Sequence, residues 1–443
     1  MNRDPAPHHP LAERLIDARR VTDALFSVVK PEYLYDRPIR ERHRIVFYIG
    51  HLEAFDRNLF DERLCPLPAF APELDRLFAF GIDPVDGGFP TDQPSDWPSI
   101  DAVRDYANKA RAQIDSCLAA YEFGRGGMAT GSPEQLMHVA IEHRLMHAET
   151  LAYMLHQLPL EMKAAPPGVT SAAQYTRNVE ATPMVRVPAG EAVLGMKKED
   201  GRFGWDNEFG EQRVQVEAFE IDRYMVTNAQ FREFIDAGGY RNRAYWNDKD
   251  WAWKEAEGVA HPVTWSQNAD GQWTLRTMFE DIALPPDWPV YVSHAEASAY
   301  ARWAGKALPT EAQWQHAAQG VPNAPSGNYD FRSWDPQAVD ASPDNVSAFG
   351  VEGQFGNGWE WTSSLFDALP GFEAFPFYLG YSANFYDGQH YVLKGGSART
   401  AQCMIRPTFR NWFQPRYQHV YAGFRCVKKQ PANEQPQQGV AQV

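Results

Sequence analysis

The chain has 443 residues, 44% hydrophobic and 13% aromatic with 14 Trp, enough for two or three domains with true cores. A net charge of −15 argues against an extended nucleic-acid or anionic-membrane surface, and no apolar run approaches the ~20 residues of a membrane span. The opening MNRDPAPHHPLAERL lacks the apolar core of a secretory signal. Four scattered cysteines (65, 117, 403 and 426) without a C-x-x-C argue against a zinc ribbon or a disulfide scaffold and predict a cytoplasmic protein.

Residues 11 to about 160 read as helices. LAERLIDARRVTDALFSVV, RHRIVFYIGHLEAFDRNLF, DAVRDYANKARAQIDSCLAAYEF and SPEQLMHVAIEHRLMHAETLAYMLHQL all show apolar residues at helical spacing. Ser132 before Pro133 and Glu134 marks a helix start. Four such segments predict a four-helix bundle over residues 1–165. The loop GIDPVDGGFPTDQPSDWPS, residues 81–99, is too long for a plain connection and is expected to carry function. A linker follows over 166–185. Residues 186–429 then show short alternating stretches, many turns and dispersed Trp, with helices at TNAQFREFIDAGG and SHAEASAYARWAGK. This is an α+β region. The polar, Pro- and Gln-rich tail 430–443 is expected to be disordered.

Within EHRLMHAETLAYMLHQL, His143 and His147 lie four positions apart. On a helix that places them ~40° apart around the axis and ~6 Å along it, so both can reach one metal ion. His138 and His156 fall off that face. Hydrogen-bonded His pairs are also common. Bundles build metal sites from facing helices, and His51, inside the apolar run FYIGHLEAFD beside Gly50, is the best third donor. Three imidazoles suit Zn, Cu, Fe or Ni and leave positions open for catalysis. Nothing in the donors themselves separates iron from zinc.

In the second region, VTNAQFREFIDAGGY, HPVTW, YVSHAEASAYARWAGKALPTEAQWQHA, GNGWEWTSSLF, VLKGGSART, RPTFRNWF and YAGFRC follow in order. Together they resemble the formylglycine-generating-enzyme-like domain, a C-type-lectin-related fold. The helical half resembles a DinB-type bundle. This domain order is similar to the non-heme iron sulfoxide synthases of ergothioneine biosynthesis, over about residues 11–428. The resemblance implies Fe(II) held by His51, His143 and His147, with O2 as oxidant. It also implies oxidative bond formation at the imidazole carbon of hercynine, the trimethylated betaine of histidine. It makes Tyr378, in FPFYLGYSANFYDG, the proton donor, with Tyr381 its neighbour, and gives Arg410, Asn411 and Trp412 a part in hercynine binding. Trp412, Tyr378 and Tyr381 would offer aromatic faces to the trimethylammonium group. The paired copper-binding cysteines of the sulfatase-modifying enzymes have no counterpart here, since only Cys403 follows GGS.

The chain departs from that pattern at three places. Relatives that use γ-glutamylcysteine carry an arginine pair in the long bundle loop. Here the loop has Asp83, Asp86, Asp92 and Asp96 and no basic residue. Phe413 stands where an acid for the substrate's amine is expected, and Met146 where a glutamine contacts hercynine. An Asp-rich, aromatic pocket suits the hydroxyls and ring face of a neutral sugar. The expected second substrate is therefore a selenosugar, as in the selenoneine synthase branch, with cysteine or γ-glutamylcysteine as the alternative. A lectin-like binding module with a structural metal site is the reading from another class.

Overall fold

The computed structural model describes residues 9–80, 89–123, 127–169, 183–322 and 325–429. The tail 430–443 and most of the expected linker lie outside them.

The first half is helical: α1 (Pro10–Phe26), α2 (Ile45–Phe60), α3 (Pro72–Phe80), α4 (Ile100–Ala120) and α5 (Pro133–His156). The four long helices fall where apolar spacing placed them. α3 is an addition, a short helix packed beside α2. Helix starts are set by side chains. Ser132 Oγ accepts from the Gln135 amide at 3.2 Å ahead of Pro133, and Ser99 Oγ accepts from the Ala102 amide at 3.3 Å. Nearly every side chain of α5 is buried, so it is the central helix, covered by the bundle on one side and by the second half of the chain on the other.

That second half carries β1 (Met184–Val187), β2 (Gly190–Leu194), β3 (Gln212–Val216), β4 (Phe219–Asp222), α6 (Asn228–Asp236), α7 (Asp248–Ala256), β5 (Trp265–Gln267), β6 (Trp273–Arg276), β7 (Asp281–Ala283), α8 (His294–Trp303), α9 (Glu311–Ala317), β8 (Gly358–Leu365), β9 (Tyr391–Gly396), β10 (Asn411–Phe413), β11 (Ala422–Gly423) and β12 (Val427–Lys429). The largest sheet runs β10-β9-β8-β11, with β11 parallel to β8, and β1-β4-β12 form an antiparallel sheet. The chain is α+β, as expected. α7 and α9 were not singled out by pattern.

Two buried carboxylates dock this half onto α5. Glu149 accepts from Trp359 Nε1 at 2.7 Å, Ser397 Oγ at 2.5 Å and Thr400 Oγ1 at 2.8 Å. Glu142 accepts from Trp205 Nε1 at 2.9 Å and from both terminal nitrogens of Arg406 at 2.8 and 3.0 Å. Both pairs of carboxylate oxygens are satisfied, which is what makes such burial tolerable. The scattered cysteines correct one expectation: Cys65 and Cys117 are joined as a disulfide, with Cα atoms 6.2 Å apart, while Cys403 and Cys426 are free. No helix among the described residues is long and apolar enough to cross a membrane.

Candidate metal centre

His51 comes from α2 and His143 and His147 from α5. Each offers one ring nitrogen, and the three atoms lie within 4.8 Å of one another. Helical phase explains the pair on α5. The placing of His51 depends on a close approach: a methyl group at Gly50 would overlap the Phe78 ring. Phe78 therefore sits tight against α2, and its carbonyl accepts from His51 Nδ1 at 2.7 Å. That bond puts the proton on Nδ1 and leaves Nε2 with a free lone pair. The space beside Gly50 is thus filled by Phe78.

Both nitrogens of His143 and Nδ1 of His147 are buried without a hydrogen-bond partner. Buried polar atoms are rarely left this way unless a ligand takes them. Burial lowers the pKa of all three rings, His51 to about 4 and the other two well below the usual histidine value, with each further disfavoured by nearby positive charge. They are neutral near pH 7, the form that binds a metal. The donor set fits a divalent transition metal.

Packing holds the rings in place. Phe55 stacks on His143 with centroids 3.4 Å apart. Arg144, next to His143, donates to Glu53 Oε1 at 2.9 Å and Asp56 Oδ2 at 2.5 Å, pinning α5 against α2. His138 stacks on Phe203 and His156 bonds Tyr421 and the Arg276 carbonyl, so neither joins the cluster.

Tyr378 lies beside the cluster, its ring centroid 6.0 Å from His143 and 5.2 Å from Phe55. Burial, then the charge of Asp206, pushes its phenol up to about 12. Tyr381 stacks on Trp205 at 4.0 Å and donates to Met146 Sδ at 3.6 Å. Trp412 meets Tyr381 edge-on at 5.4 Å and stacks on Phe366 at 4.2 Å. Asn411 Oδ1 accepts from the Trp412 amide at 2.9 Å. Tyr378 thus meets His143, and Tyr381, Met146 and Trp412 follow it in one run of contacts. Arg410 does not join them: it is buried and spent on Glu311, at 2.8 and 3.1 Å.

In the described part of the long loop, both Asp carboxylates have partners within the protein. Asp92 is buried, accepting from Trp97 Nε1 at 2.7 Å, from Arg44 Nε at 2.9 Å and from Arg37. Asp96 Oδ2 accepts from the Gln93 amide at 2.7 Å. Asp92 thus ties the loop to the segment before α2 and Asp96 caps a turn within it, and Asp83 and Asp86 lie outside the described residues. The loop itself carries no basic residue, but a cation from another segment lies near the cluster. Arg42, whose charge disfavours protonation of His147, donates to Tyr153 Oη at 2.7 Å and Tyr417 Oη at 3.1 Å. Sequence reasoning missed Arg42, which RPIRERHR hides among three other arginines.

Residues 170–430 match the family described as Sulfatase-modifying factor enzyme 1-like domain, and residues 14–151 match the DinB superfamily. Among curated proteins, the chain is 38% identical to a hercynine oxygenase of Mycolicibacterium thermoresistibile over 67% of this chain and 70% of that protein. It is 33% identical to the hercynine oxygenase of Mycolicibacterium smegmatis over 81% of this chain and 84% of that one. Ergothioneine biosynthesis protein 1 of Neurospora crassa is 25% identical over 91% of this chain, which spans 56% of that longer protein. With a DinB-superfamily bundle in front of a sulfatase-modifying factor enzyme 1-like domain, the chain belongs to the family that includes the hercynine oxygenases.

Proposed function

We propose that the protein is an iron(II)- and O2-dependent oxidoreductase that joins a chalcogen to the imidazole carbon of hercynine, with a selenosugar as second substrate. The observation that carries the enzyme reading is the cluster of three neutral imidazoles with ring nitrogens within 4.8 Å of one another, both nitrogens of His143 lacking a partner, with Tyr378 beside it. Kinship with hercynine oxygenases supports hercynine as the substrate oxidised. His51, His143 and His147 would hold iron, which supplies redox chemistry and open positions for O2 and substrate when bound.

The chain's own residues do the rest. Aromatic faces of Tyr378, Tyr381 and Trp412 receive the trimethylammonium group. Met146 presents a soft, polarizable wall where an amide would hydrogen-bond. Tyr378 is a neutral phenol at pH 7, as any tyrosine is, and burial, which pushes it up to about 12, holds the proton more firmly, so it offers an O–H donor beside the cluster. Asn411 and Phe413 flank Trp412 on β10 and shape the pocket beyond it.

Support for a sugar comes from Phe413. It stacks on Tyr417 at 5.1 Å and meets Tyr153 edge-on at 6.4 Å, giving an apolar face where an amine-binding acid would stand in a thiol-using relative. A second reading, oxidation of cysteine or γ-glutamylcysteine with hercynine, is favoured by one observation: Arg42 is a cation that a carboxylate would use. Anaerobic iron loading followed by O2 uptake with hercynine and each second substrate tests both. No iron-dependent uptake with any pair returns the protein to the class of binding modules.

A further inference from the structure

The strand β10 separates two surfaces. Successive residues of a strand point to opposite faces. Trp412 packs on Phe366, Tyr381 and Phe385, the side on which Met146 and Tyr381 meet. Phe413 packs the other way, on Tyr417 and Tyr153. The histidine cluster touches both sides. Met146, on the hercynine side, is the neighbour of His147, and Tyr48 lies 5.7 Å from the His147 ring on the side where Arg42 sits.

Arg42 is unlike the arginines around it. Arg37 and Arg44 are neutralised by Asp92, and Arg40 pairs with Glu41 and Glu257. Arg42 makes no ion pair among the described residues. Its Nε and Nη2 donate to the phenol oxygens of Tyr417 and Tyr153, and its guanidinium carbon lies 5.4 and 5.7 Å from the centres of those rings. Nη1 carries no hydrogen bond among the described residues, and the side chain is only half-buried. A guanidinium held by two neutral acceptors, with donors to spare, is set for paired oxygen acceptors. The Tyr417 ring beside it, with Phe413 stacked on that ring, gives an apolar aromatic wall.

We propose that Arg42, with the Phe413–Tyr417 stack, forms the subsite of the second substrate and reads paired oxygen atoms on it. This rests on the reading of the previous section. The shared chemistry is a bidentate oxygen pair, supplied by vicinal hydroxyls of a sugar or by a carboxylate of an amino-acid thiol.

The test uses the full chain loaded anaerobically with iron(II), in wild type, Arg42→Met, Arg42→Lys and Phe413→Asp. Hercynine affinity is measured by calorimetry, and KM is measured for 1-selenoglucose, 1-thioglucose and γ-glutamylcysteine. Arg42→Met should raise KM for the second substrate about 10- to 100-fold, with hercynine affinity and iron content unchanged. Phe413→Asp, which puts a carboxylate beside the guanidinium, should do the same if Arg42→Met fails to fold. If hydroxyls are read, the loss appears with the two sugars and Arg42→Lys does not restore it, because a point charge lacks the fork. If a carboxylate is read, the loss appears with γ-glutamylcysteine and Arg42→Lys restores part of it. Hercynine affinity falling while every second-substrate KM holds would overturn the assignment, as would no change in either. A wild type that binds no hercynine sinks the functional reading itself and this subsite with it.

Discussion

Arg144 Nη1 donates to Glu53 Oε1 at 2.9 Å, so the residue after His143 is tied to the residue two beyond His51. Both side chains are fully buried, and Arg144 also holds Asp56. One arginine thus fixes the separation of the two helices that supply the histidines. Arg144→Met removes the cation and leaves Asp56 buried without its ion pair, while Glu53 keeps Arg111. Breaking such a network by removing one partner costs about 3–5 kcal/mol. Chemical denaturation should show that loss, and metal affinity should fall although every histidine remains.

His51→Ala, His143→Ala and His147→Ala should each abolish iron retention while the circular dichroism of the fold persists. His138→Ala and His156→Ala should retain iron. His156→Ala is not silent, however. It takes the partner from the Arg276 carbonyl, at a cost of about 1–3 kcal/mol for a buried group left unpaired, while the Tyr421 hydroxyl keeps its bond to the Ala152 carbonyl. Full iron in the His51 variant would disprove the site as drawn.

Tyr378→Phe keeps the ring against Phe55 and His143 and removes only the hydroxyl. Iron content and hercynine affinity should hold, and bond formation should slow by ~100- to 10,000-fold, the usual worth of a general acid. Oxygen consumed without coupled product is the accompanying sign. An unchanged product rate would reduce Tyr378 to packing.

Much of this was legible in the sequence because the signals were local. The His143–His147 pair follows from helical phase, and the four long helices follow from apolar spacing and serine caps. His51 was found because a histidine in an apolar run has few reasons to be there. What stayed hidden depends on contacts between distant segments. Asp92 looked like part of an acidic loop, yet Arg37 and Arg44, some fifty residues earlier, consume it. Arg410 looked like part of a binding motif, yet Glu311 takes it. Arg42 became visible only when Tyr153 and Tyr417, from different halves of the chain, met around it. The Cys65–Cys117 pairing was hidden for the same reason: 52 residues separate the two.

Asp92 gives a pH prediction. Burial alone would raise its pKa, but hydrogen bonds from Trp97 and Arg44, with the nearby charge of Arg37, hold it below the usual carboxylate value. A depressed native pKa contributes stability above the unfolded value of 3.8, and that stability is lost as pH falls through the native value. Asp92→Asn should therefore lower the melting temperature at pH 7, and the gap to wild type should narrow as the pH is taken below about 4. A constant gap across that range would show that Asp92 acts by shape alone.

The choice of second substrate is the sharpest test of the functional reading. Asp92 is taken by Arg37, Arg44 and Trp97, and Asp96 caps the loop's own short turn, so neither is set aside for sugar hydroxyls. The case for a sugar now rests on Phe413 and the aromatic wall, where an α-amine would find no acid at that position of β10. Burying an ammonium without a partner costs several kcal/mol, whereas a sugar ring lays its apolar face on the Phe413 and Tyr417 rings without that penalty. A selenosugar should therefore exceed γ-glutamylcysteine in kcat/KM by at least about tenfold, the equivalent of ~1.4 kcal/mol. Phe413→Asp should narrow or reverse the preference, because it gives the amine its acid while costing the sugar both the apolar wall and, through the new carboxylate, the Arg42 guanidinium. Competition in one reaction, with both products quantified, reads the ratio directly. γ-Glutamylcysteine winning that competition would place the enzyme with the thiol-using relatives and make Arg42 the anchor of its carboxylate.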